Sequence, residues 1–258
     1  MSNIADTAED ICQAFNCFIK GVDSSTLYTC IMVDKLETNE DFLRNYYSKY
    51  PVRLIKKGRP LFYQGEIPRT AYFVKSGVIK FYNITSNGEE KIVGYEGTDS
   101  LMPNEWIFGK SPVSLYYYDT FTDCEVYSIP RVELMDIINN DKQVAISLLN
   151  RYISMYIGST MHLHALEQLK AREKLLHILQ YLVLRFGTEV RKNCYRISLR
   201  LTHQDIANLV GLTRETVSTE ISKLRKDGVL EIVDLHYEVD TDKALRIVGE
   251  SDFNDLTL

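Results

Sequence analysis

The apolar positions between Leu201 and Gly228 recur at helical spacing, and they predict two short amphipathic helices joined by a tight turn. Gly211 is placed to end the first helix in the left-handed conformation, while Thr202 and Thr213 are placed to cap the two helix starts. The apolar side of the second helix consists of Val217, Ile221 and Leu224. Its first turns project the polar residues Arg214, Glu215, Ser218 and Thr219. This outward face is either ordinary solvated surface or a surface that contacts another molecule.

A long helix is predicted from about Lys142 to Leu169. Its stripe residues fall at alternating steps of three and four: Ile146, Leu149, Ile153, Tyr156, Thr160 and Leu163. A stripe of this length needs a cover, because it would otherwise leave apolar surface in water. It could pack on the β-rich part of its own chain, but it suits pairing with the same helix of a second subunit. We therefore expect a homodimer.

The segment from Val52 to Ile129 changes to short β-rich runs separated by glycines. In GVIKFYNITSNGEEKIVGY, two runs of β-branched and aromatic residues flank Asn87-Gly88, which predicts a hairpin with a type I′ turn. Evenly spaced short strands predict a small antiparallel barrel or sandwich. Further along, the pattern predicts a helix that ends at Gly187 as its C-cap, a strand in CYRISL and a hairpin in VLEIVDLHYEVD. The expected fold class is α+β.

The 258 residues, 45% of them apolar, are enough for two domains. We expect an N-terminal extension over residues 1–45, a β domain over 46–140, the long helix over 141–170 and a helix-turn-helix domain over 171–258. The acidic start MSNIADTAEDICQAF does not look like a signal peptide, and no apolar run approaches the roughly 20 residues that span a bilayer. These features predict a cytoplasmic protein without a membrane partner.

The net charge of −5 hides a basic segment. Between Lys170 and Val233 the chain has 12 basic and 7 acidic residues, and such a positive balance attracts a polyanion. A helix-turn-helix places the first turn of its second helix against base edges in the major groove, where an Arg fork matches guanine and a Glu accepts from cytosine. We therefore expect double-stranded DNA as a partner, with Lys223, Arg225 and Lys226 placed to meet phosphates.

The stretch LTHQDIANLVGLTRETVSTEISKLRKDGVLEI resembles the winged helix-turn-helix of the CRP/FNR transcription regulators, and GLTRETVS is among the most specific segments of that family. The likeness extends over nearly everything from residue 50 onward, since Gly65-Glu66, AYFVKSGVIKFY and CEVYSI are similar to the family's β-roll, a cyclic-nucleotide-binding-like domain. The resemblance implies a homodimer on an inverted repeat, with RNA polymerase as a further partner. It places Arg214, Glu215 and Ser218 on base-reading positions, whereas Thr219 stands where many members have Arg.

The resemblance also bears on the effector, which is the small molecule expected to bind the β domain and control DNA binding. Members that bind cyclic nucleotides hold the ribose with a Gly-Glu pair and the phosphate with an Arg; here the matching positions fall near Met102-Pro103 and Ser114. A buried phosphate without its Arg would be left unpaired, so cyclic AMP is not the expected effector. Regulators of halorespiration of the CprK type and virulence regulators of the PrfA type resemble this chain in lacking the clamp. Residues that could instead hold an aromatic small molecule are Met102, Trp106, Phe108, Tyr116 and Tyr118.

The alternative role for these aromatic residues is to fill the core of the β domain. Strand alternation allows only Tyr116 and Tyr118, or Tyr117 alone, to face inward. The sequence leaves both roles open.

The cysteines offer a second way to sense a signal. Iron–sulfur members of the family carry clustered N-terminal cysteines and one in the barrel. Cys124 stands at a comparable barrel position, but Cys12, Cys17 and Cys30 are spaced by 5 and 13 residues, which is looser than that cluster. An iron–sulfur site is therefore not favoured, and Cys124 is expected to be a small buried apolar residue. Redox sensing through the N-terminal thiols remains the alternative.

Neither a metal site nor an enzyme is predicted. His162 and His164 lie two apart on a helix, about 200° around its axis, and cannot chelate one ion. The region from Val52 to Ile129 has no histidine to act as a strand ligand. The sequence has no phosphate-binding loop and no nucleophile elbow. The remaining alternative is a ligand-binding or scaffold protein that does not bind DNA.

Overall fold

The computed structural model describes Leu43 and residues 46–254, with the backbone alone from 249 onward. The N-terminal extension expected over residues 1–45 therefore lies almost entirely outside the described residues. The described chain forms two compact units. One contains the residues up to 160 together with 203–213, and the other contains 161–202 together with the residues from 214 onward.

The first unit contains two four-stranded antiparallel sheets, as the glycine-punctuated β pattern predicts. One sheet has the order β1-β8-β3-β6 and the other the order β2-β7-β4-β5. The strands are β1 (Val52–Ile55), β2 (Pro60–Phe62), β3 (Ala71–Ser76), β4 (Ile79–Ile84), β5 (Glu90–Glu96), β6 (Leu101–Met102), β7 (Tyr117–Thr120) and β8 (Cys124–Ile129). The helices that follow β6 and β8 are α1 (Asn104–Ile107), α2 (Arg131–Asn140) and the long α3 (Lys142–Glu167).

Two apolar cores form on the two faces of the β1-β8-β3-β6 sheet because successive strand residues point to opposite sides. The intersheet core contains Phe62, Tyr72, Val74, Ile79, Met102, Tyr118, Cys124 and Val126. The helix-side core contains Leu43, Tyr47, Tyr50, Ala71, Phe73, Leu101, Ile107, Tyr127, Ile129, Leu134, Ile137, Val144 and Leu148. Strand β3 contributes to both cores, so its first four residues are all buried.

The hairpin between β4 and β5 is present, but its turn is not the predicted type I′. A type I′ turn needs positive φ at both central residues, and of Asn87 and Gly88 only Gly88 has it, with φ +79°. The Gly88 N–H bonds to the Thr85 carbonyl at 2.9 Å, and the Thr85 N–H bonds to the Glu89 carbonyl at 2.9 Å. This is a three-residue loop in which a turn is followed by a left-handed glycine, and that glycine supplies the extra residue of a β-bulge.

The elements beyond α3 are α4 (Ala171–Phe186), β9 (Gly187–Arg191), β10 (Cys194–Ile197), α5 (His203–Val210), α6 (Arg214–Lys226), β11 (Leu230–Val233), β12 (His236–Asp240) and α7 (Thr241–Asn254). The four strands form an antiparallel sheet of order β11-β12-β10-β9. The hairpin expected in VLEIVDLHYEVD is the pair β11 and β12. The sequence pattern missed β9.

Gly187 ends α4, but not in the left-handed conformation of a glycine C-cap. Its φ and ψ are −84° and 142°, which is extended backbone that leads directly into β9. A Cβ built on Gly187 would lie 2.3 Å from the Val183 carbonyl oxygen. Glycine is required here because the chain passes close to the last turn of α4. No helix among the described residues is both long and apolar enough to cross a membrane.

Candidate nucleic-acid interface

The turn between α5 and α6 has the predicted backbone. Gly211 adopts φ +68°, in the left-handed region that ends a helix, and the prediction is confirmed. The Leu212 N–H bonds to the Ala207 carbonyl at 3.1 Å and closes the last turn of α5. Thr202 and Thr213 each stand one residue before a helix start, which is the N-cap position.

Helix α6 has one fully buried side. Val217, Ile221 and Leu224 are at most 1% exposed, and α6 packs against α4 and β11. These residues are spaced i, i+4 and i+7, so they line one side of the helix. The packing fixes which way the other side faces.

The opposite side of α6 begins with the predicted polar group. Arg214, Glu215 and Thr219 are exposed, and Ser218 is half-buried. The Thr219 hydroxyl donates to the Glu215 carbonyl at 2.9 Å, which uses its proton within the helix. The Arg214 and Glu215 side chains therefore carry the charged donors and acceptors that this turn can offer to a ligand.

Positive charge continues along the rest of α6. Lys223 Nζ lies 2.6 Å from Glu220 Oε1, so this predicted phosphate contact is already engaged in an ion pair within the helix. Arg225 and Lys226 are exposed and line an open groove together with Ser222 and β11. The sequence analysis predicted the two cations, but the groove depends on where β11 lies. Glu231 of β11 also lines the groove, so two cations face one carboxylate, and the remaining positive charge can attract an anionic backbone such as a phosphate chain.

Two contacts that the sequence analysis did not predict hold the C-terminal end of α6. Arg172 of α4 bonds Asp227 at 2.6 Å, directly after α6 ends. Lys243 of α7 donates from Nζ to the Gly228 carbonyl at 3.0 Å. Both pairs join positions far apart in sequence, so no local pattern could have indicated them.

The structure does not bring the five proposed effector residues together. Met102 and Tyr118 are buried in the intersheet core, with Tyr116 packed against it. Trp106 and Phe108 instead pack against the helix-side core. The predicted alternation of the tyrosines is present, because Tyr116 and Tyr118 face Phe81 while Tyr117 stacks on Tyr82. The set is thus distributed over two packed cores, and core packing accounts for its burial.

Ser114 stands near the position where the family resemblance expects a phosphate-binding Arg. It is fully buried, and its hydroxyl donates to the Tyr116 carbonyl at 2.9 Å. Its backbone N–H bonds to the Glu66 carbonyl at 2.9 Å, and its carbonyl accepts from the Gly65 N–H at 2.8 Å. The polar groups of Ser114 are therefore used within the protein and supply no positive charge.

Cys124 is a buried thiol in the intersheet core. It is 2% exposed, its Sγ donates to the Val78 carbonyl at 3.4 Å, and burial raises the pKa of its thiol. Without a bound metal, this environment favours the neutral thiol. The described residues hold no group of three or more His, Cys, Asp or Glu side chains that could bind a metal ion. Cys12, Cys17 and Cys30 lie outside the described residues.

The stripe on α3 is exposed. Its most exposed members are Tyr156 at 73%, Leu149 at 57% and Leu163 at 56%. The rest of the predicted stripe, which is also exposed, consists of Ile146, Ile153 and Thr160. The opposite side of the helix contributes Val144 and Leu148 to the helix-side core. Helix α3 thus has a second apolar side that its own β domain does not cover.

Two family models match the chain over separate regions. The cyclic nucleotide-binding domain matches residues 52–141, and the Crp-like helix-turn-helix domain matches residues 173–246. The fumarate and nitrate reduction regulatory protein of Escherichia coli strain K12 is 28% identical over 237 residues, which cover 90% of this chain and 91% of that protein.

Solved structures share the fold. FixK2 from Bradyrhizobium japonicum aligns with TM-score 0.64 and 20% identity, over 77% of this chain and 96% of that one. CprK in complex with OCPA aligns with TM-score 0.61 and 20% identity, over 80% of this chain and 93% of that one. These structures show the fold. The two domain matches and the regulatory relative show that the chain belongs to the CRP/FNR family of DNA-binding transcription regulators.

Proposed function

We propose that this protein is a cytoplasmic regulator that binds an inverted repeat as a homodimer and places Arg214, Glu215 and Ser218 against base edges. The observation that carries the proposal is the first turn of α6. It has two exposed charged side chains on a helix whose opposite side is fully buried. An Arg fork pairs with guanine and a Glu accepts from cytosine, so a G and a C are expected in each half-site.

The phosphate contacts are assigned to the groove beside β11. Arg225 and Lys226 are exposed there, whereas Lys223 would first have to leave Glu220. Phosphate contacts orient the protein on the duplex without reading its sequence. Their loss should weaken specific and non-specific binding alike.

The dimer is assigned to the stripe on α3. A second copy of the same helix presents the same exposed apolar residues, so a two-fold pairing would cover both stripes. In a two-fold dimer the two α6 helices should meet half-sites about 34–36 Å apart, one helical turn of DNA. RNA polymerase is the further partner implied by the family.

The central experiment measures binding to a duplex selected from random sequence by the purified protein. Arg214→Ala should weaken specific binding by about 1–3 kcal/mol, which is roughly fivefold to over a hundredfold. The matched control is Arg246→Ala, because Arg246 is an exposed arginine on α7 and its loss changes the net charge equally. Fluorescence anisotropy at fixed salt should show the loss on the selected duplex and little loss on a scrambled one. Equal losses on the two duplexes would contradict base reading.

We assign control of DNA binding to a small molecule that is not cyclic AMP. Ser114, which stands near the position of the phosphate-binding Arg, provides no cation for a cyclic phosphate, and a buried phosphate needs one. Cyclic AMP should leave the melting temperature and the DNA affinity unchanged. Mass spectrometry of compounds that copurify with the protein is the direct way to find the effector.

The alternative trigger is a redox change at cysteine. It is suggested by the 28% identity to a protein named for fumarate and nitrate reduction. The buried Cys124 argues against an iron–sulfur cluster at that position. A visible absorption band in protein purified without oxygen would support an iron–sulfur form of the alternative. In a colourless protein, DNA affinity that changes between reduced and oxidised thiols would support a thiol switch, and affinity that does not change would support the small-molecule effector.

A further inference from the structure

A polar network joins α3 to the loop between β5 and β6. Arg151 of α3 donates from Nη2 to the Thr98 carbonyl at 2.7 Å and to Ser100 Oγ at 2.6 Å. Ser100 Oγ in turn donates to Glu96 Oε2 at 2.8 Å. Ser100 is fully buried and Glu96 is 6% exposed, so the chain of bonds runs from a guanidinium to a carboxylate away from water.

The next residue of α3 makes a second bond to the same region. The Tyr152 hydroxyl donates to Asn104 Oδ1, at the start of α1, at 2.9 Å. Burial is the largest cause that raises the pKa of Tyr152, followed by Tyr47 and Glu96, so its hydroxyl remains a donor at physiological pH. Two consecutive helix residues therefore hold the segment from Thr98 to Asn104.

The loop that receives Arg151 has a constrained backbone. Asp99 is buried and has φ +68°, a left-handed conformation that non-glycine residues rarely adopt. Its N–H bonds to the Val74 carbonyl at 2.8 Å, and the Val74 N–H bonds to the Ser100 carbonyl at 2.9 Å. Such conformations persist where the surroundings determine them. The loop is thus fixed both to β3 and to α3.

Arg151 and the exposed stripe lie on opposite sides of α3. Successive residues turn by about 100°, so Arg151 lies about 200° from Leu149 around the helix axis. The same turn of α3 therefore holds the β domain on one side and presents the stripe on the other. A rotation of this helix turn would therefore change its contacts with the β domain and the direction of the stripe together.

We propose that Arg151, Ser100 and Glu96, with Tyr152 and Asn104, form a joint that holds α3 in the one orientation suited to DNA binding. This inference rests on the proposed function, because it assumes that the α3 stripe pairs two copies and spaces their α6 helices. Arg151 is a positioning residue and contacts no base. Loosening the joint spreads α3 over several orientations, only some of which space the two α6 helices correctly.

The test replaces Arg151 by Met, which keeps length and removes the charge. Arg69→Met is the matched control, because Arg69 is exposed on the same β domain. Hydrogen exchange should rise in peptides covering 97–104 and 147–155 in Arg151→Met but not in Arg69→Met. Affinity for the selected duplex should fall at least fivefold in Arg151→Met, while affinity for a scrambled duplex stays within twofold of the parent.

Further variants keep the test decisive if Arg151→Met does not fold. Arg151→Lys retains the charge but cannot reach both acceptors in the same geometry, and Ser100→Ala removes the link to Glu96. Both should show the same exchange pattern and a smaller loss of affinity. Unchanged exchange, or an unchanged or higher affinity for the selected duplex, in folded variants would overturn the joint. If the parent binds no duplex, the proposed function fails, and the exchange data alone decide whether the joint exists.

Discussion

The two sets of side chains that the sequence assigns to ligand contact differ in their exposure. On α6, Arg214 and Glu215 project from a helix turn whose other side is buried. In the β domain, the aromatic set is divided between the intersheet and helix-side cores. A polar face that remains exposed after folding is available to a partner, whereas aromatic residues are often buried in the core. Residue type alone does not separate the two cases.

Truncating a buried aromatic residue of the proposed effector set is expected to have the largest effect on stability. Tyr118→Ala should lower the free energy of unfolding by about 3–5 kcal/mol, the cost of a large-to-small change in a packed core. Tyr118 is 5% exposed and lies between the rings of Phe62 and Phe81, both at 5.8 Å. Urea denaturation followed by circular dichroism measures the loss.

Arg214→Ala is the control for this stability measurement, because its side chain is exposed. It should change the free energy of unfolding by less than about 0.5 kcal/mol, as surface substitutions usually do. A Tyr118→Ala protein as stable as the parent would mean that Tyr118 lines an open ligand site. The contrast between the two regions would then be wrong.

The stripe on α3 extends the comparison to an apolar surface that remains exposed. Burying a leucine side chain contributes about 1.5–3 kcal/mol, and a two-fold dimer would bury Leu149 twice. Leu149→Asp should therefore raise the dimer dissociation constant on the order of a hundredfold or more. Sedimentation velocity over a range of concentrations measures it.

Val132→Asp is the matched control for the stripe. Val132 is 80% exposed on α2 and does not belong to the stripe, so its change should leave dimerisation unaltered. If both variants dissociate equally, the effect is one of net charge. If neither dissociates, the stripe is not the dimer contact.

The sequence predicted best those elements whose signals are local. The bounds of α5 and α6 and the left-handed Gly211 follow from caps, apolar spacing and one glycine. The polar face of α6 can also be predicted from the sequence, because it consists of the positions opposite the apolar side of the helix. These features depend on residues within about two helix turns, where periodicity is informative.

The missed features depend on distant partners. Strand β9 forms because it pairs with β10, and GTEVR by itself carries little strand pattern. The type I′ conformation expected at Asn87-Gly88 occurs instead at the two-residue loop between β11 and β12, where Asp234 and Leu235 have φ of +50° and +66°. There the pairing of the flanking strands overrides residue preference. The joint around Arg151 connects residues about fifty positions apart, which no local pattern reveals.

On α6 itself, Thr219 and Arg214 are both exposed but should contribute very differently to DNA binding. Thr219 is exposed, but its hydroxyl donates to the Glu215 carbonyl, so Thr219→Val removes a bond that stays within the helix. Specific DNA affinity should change by less than about 0.5 kcal/mol, well below the loss of about 1–3 kcal/mol expected for a base-reading side chain such as Arg214. Valine has nearly the shape of threonine, so the helix surface is preserved. Anisotropy titrations with the selected duplex compare the two directly. A loss for Thr219→Val as large as that for Arg214→Ala would contradict this expectation. It would show that the Thr219 hydroxyl leaves the Glu215 carbonyl and contacts DNA, so that the exposure of a side chain on α6 predicts DNA contact better than its hydrogen bonds in the free protein do.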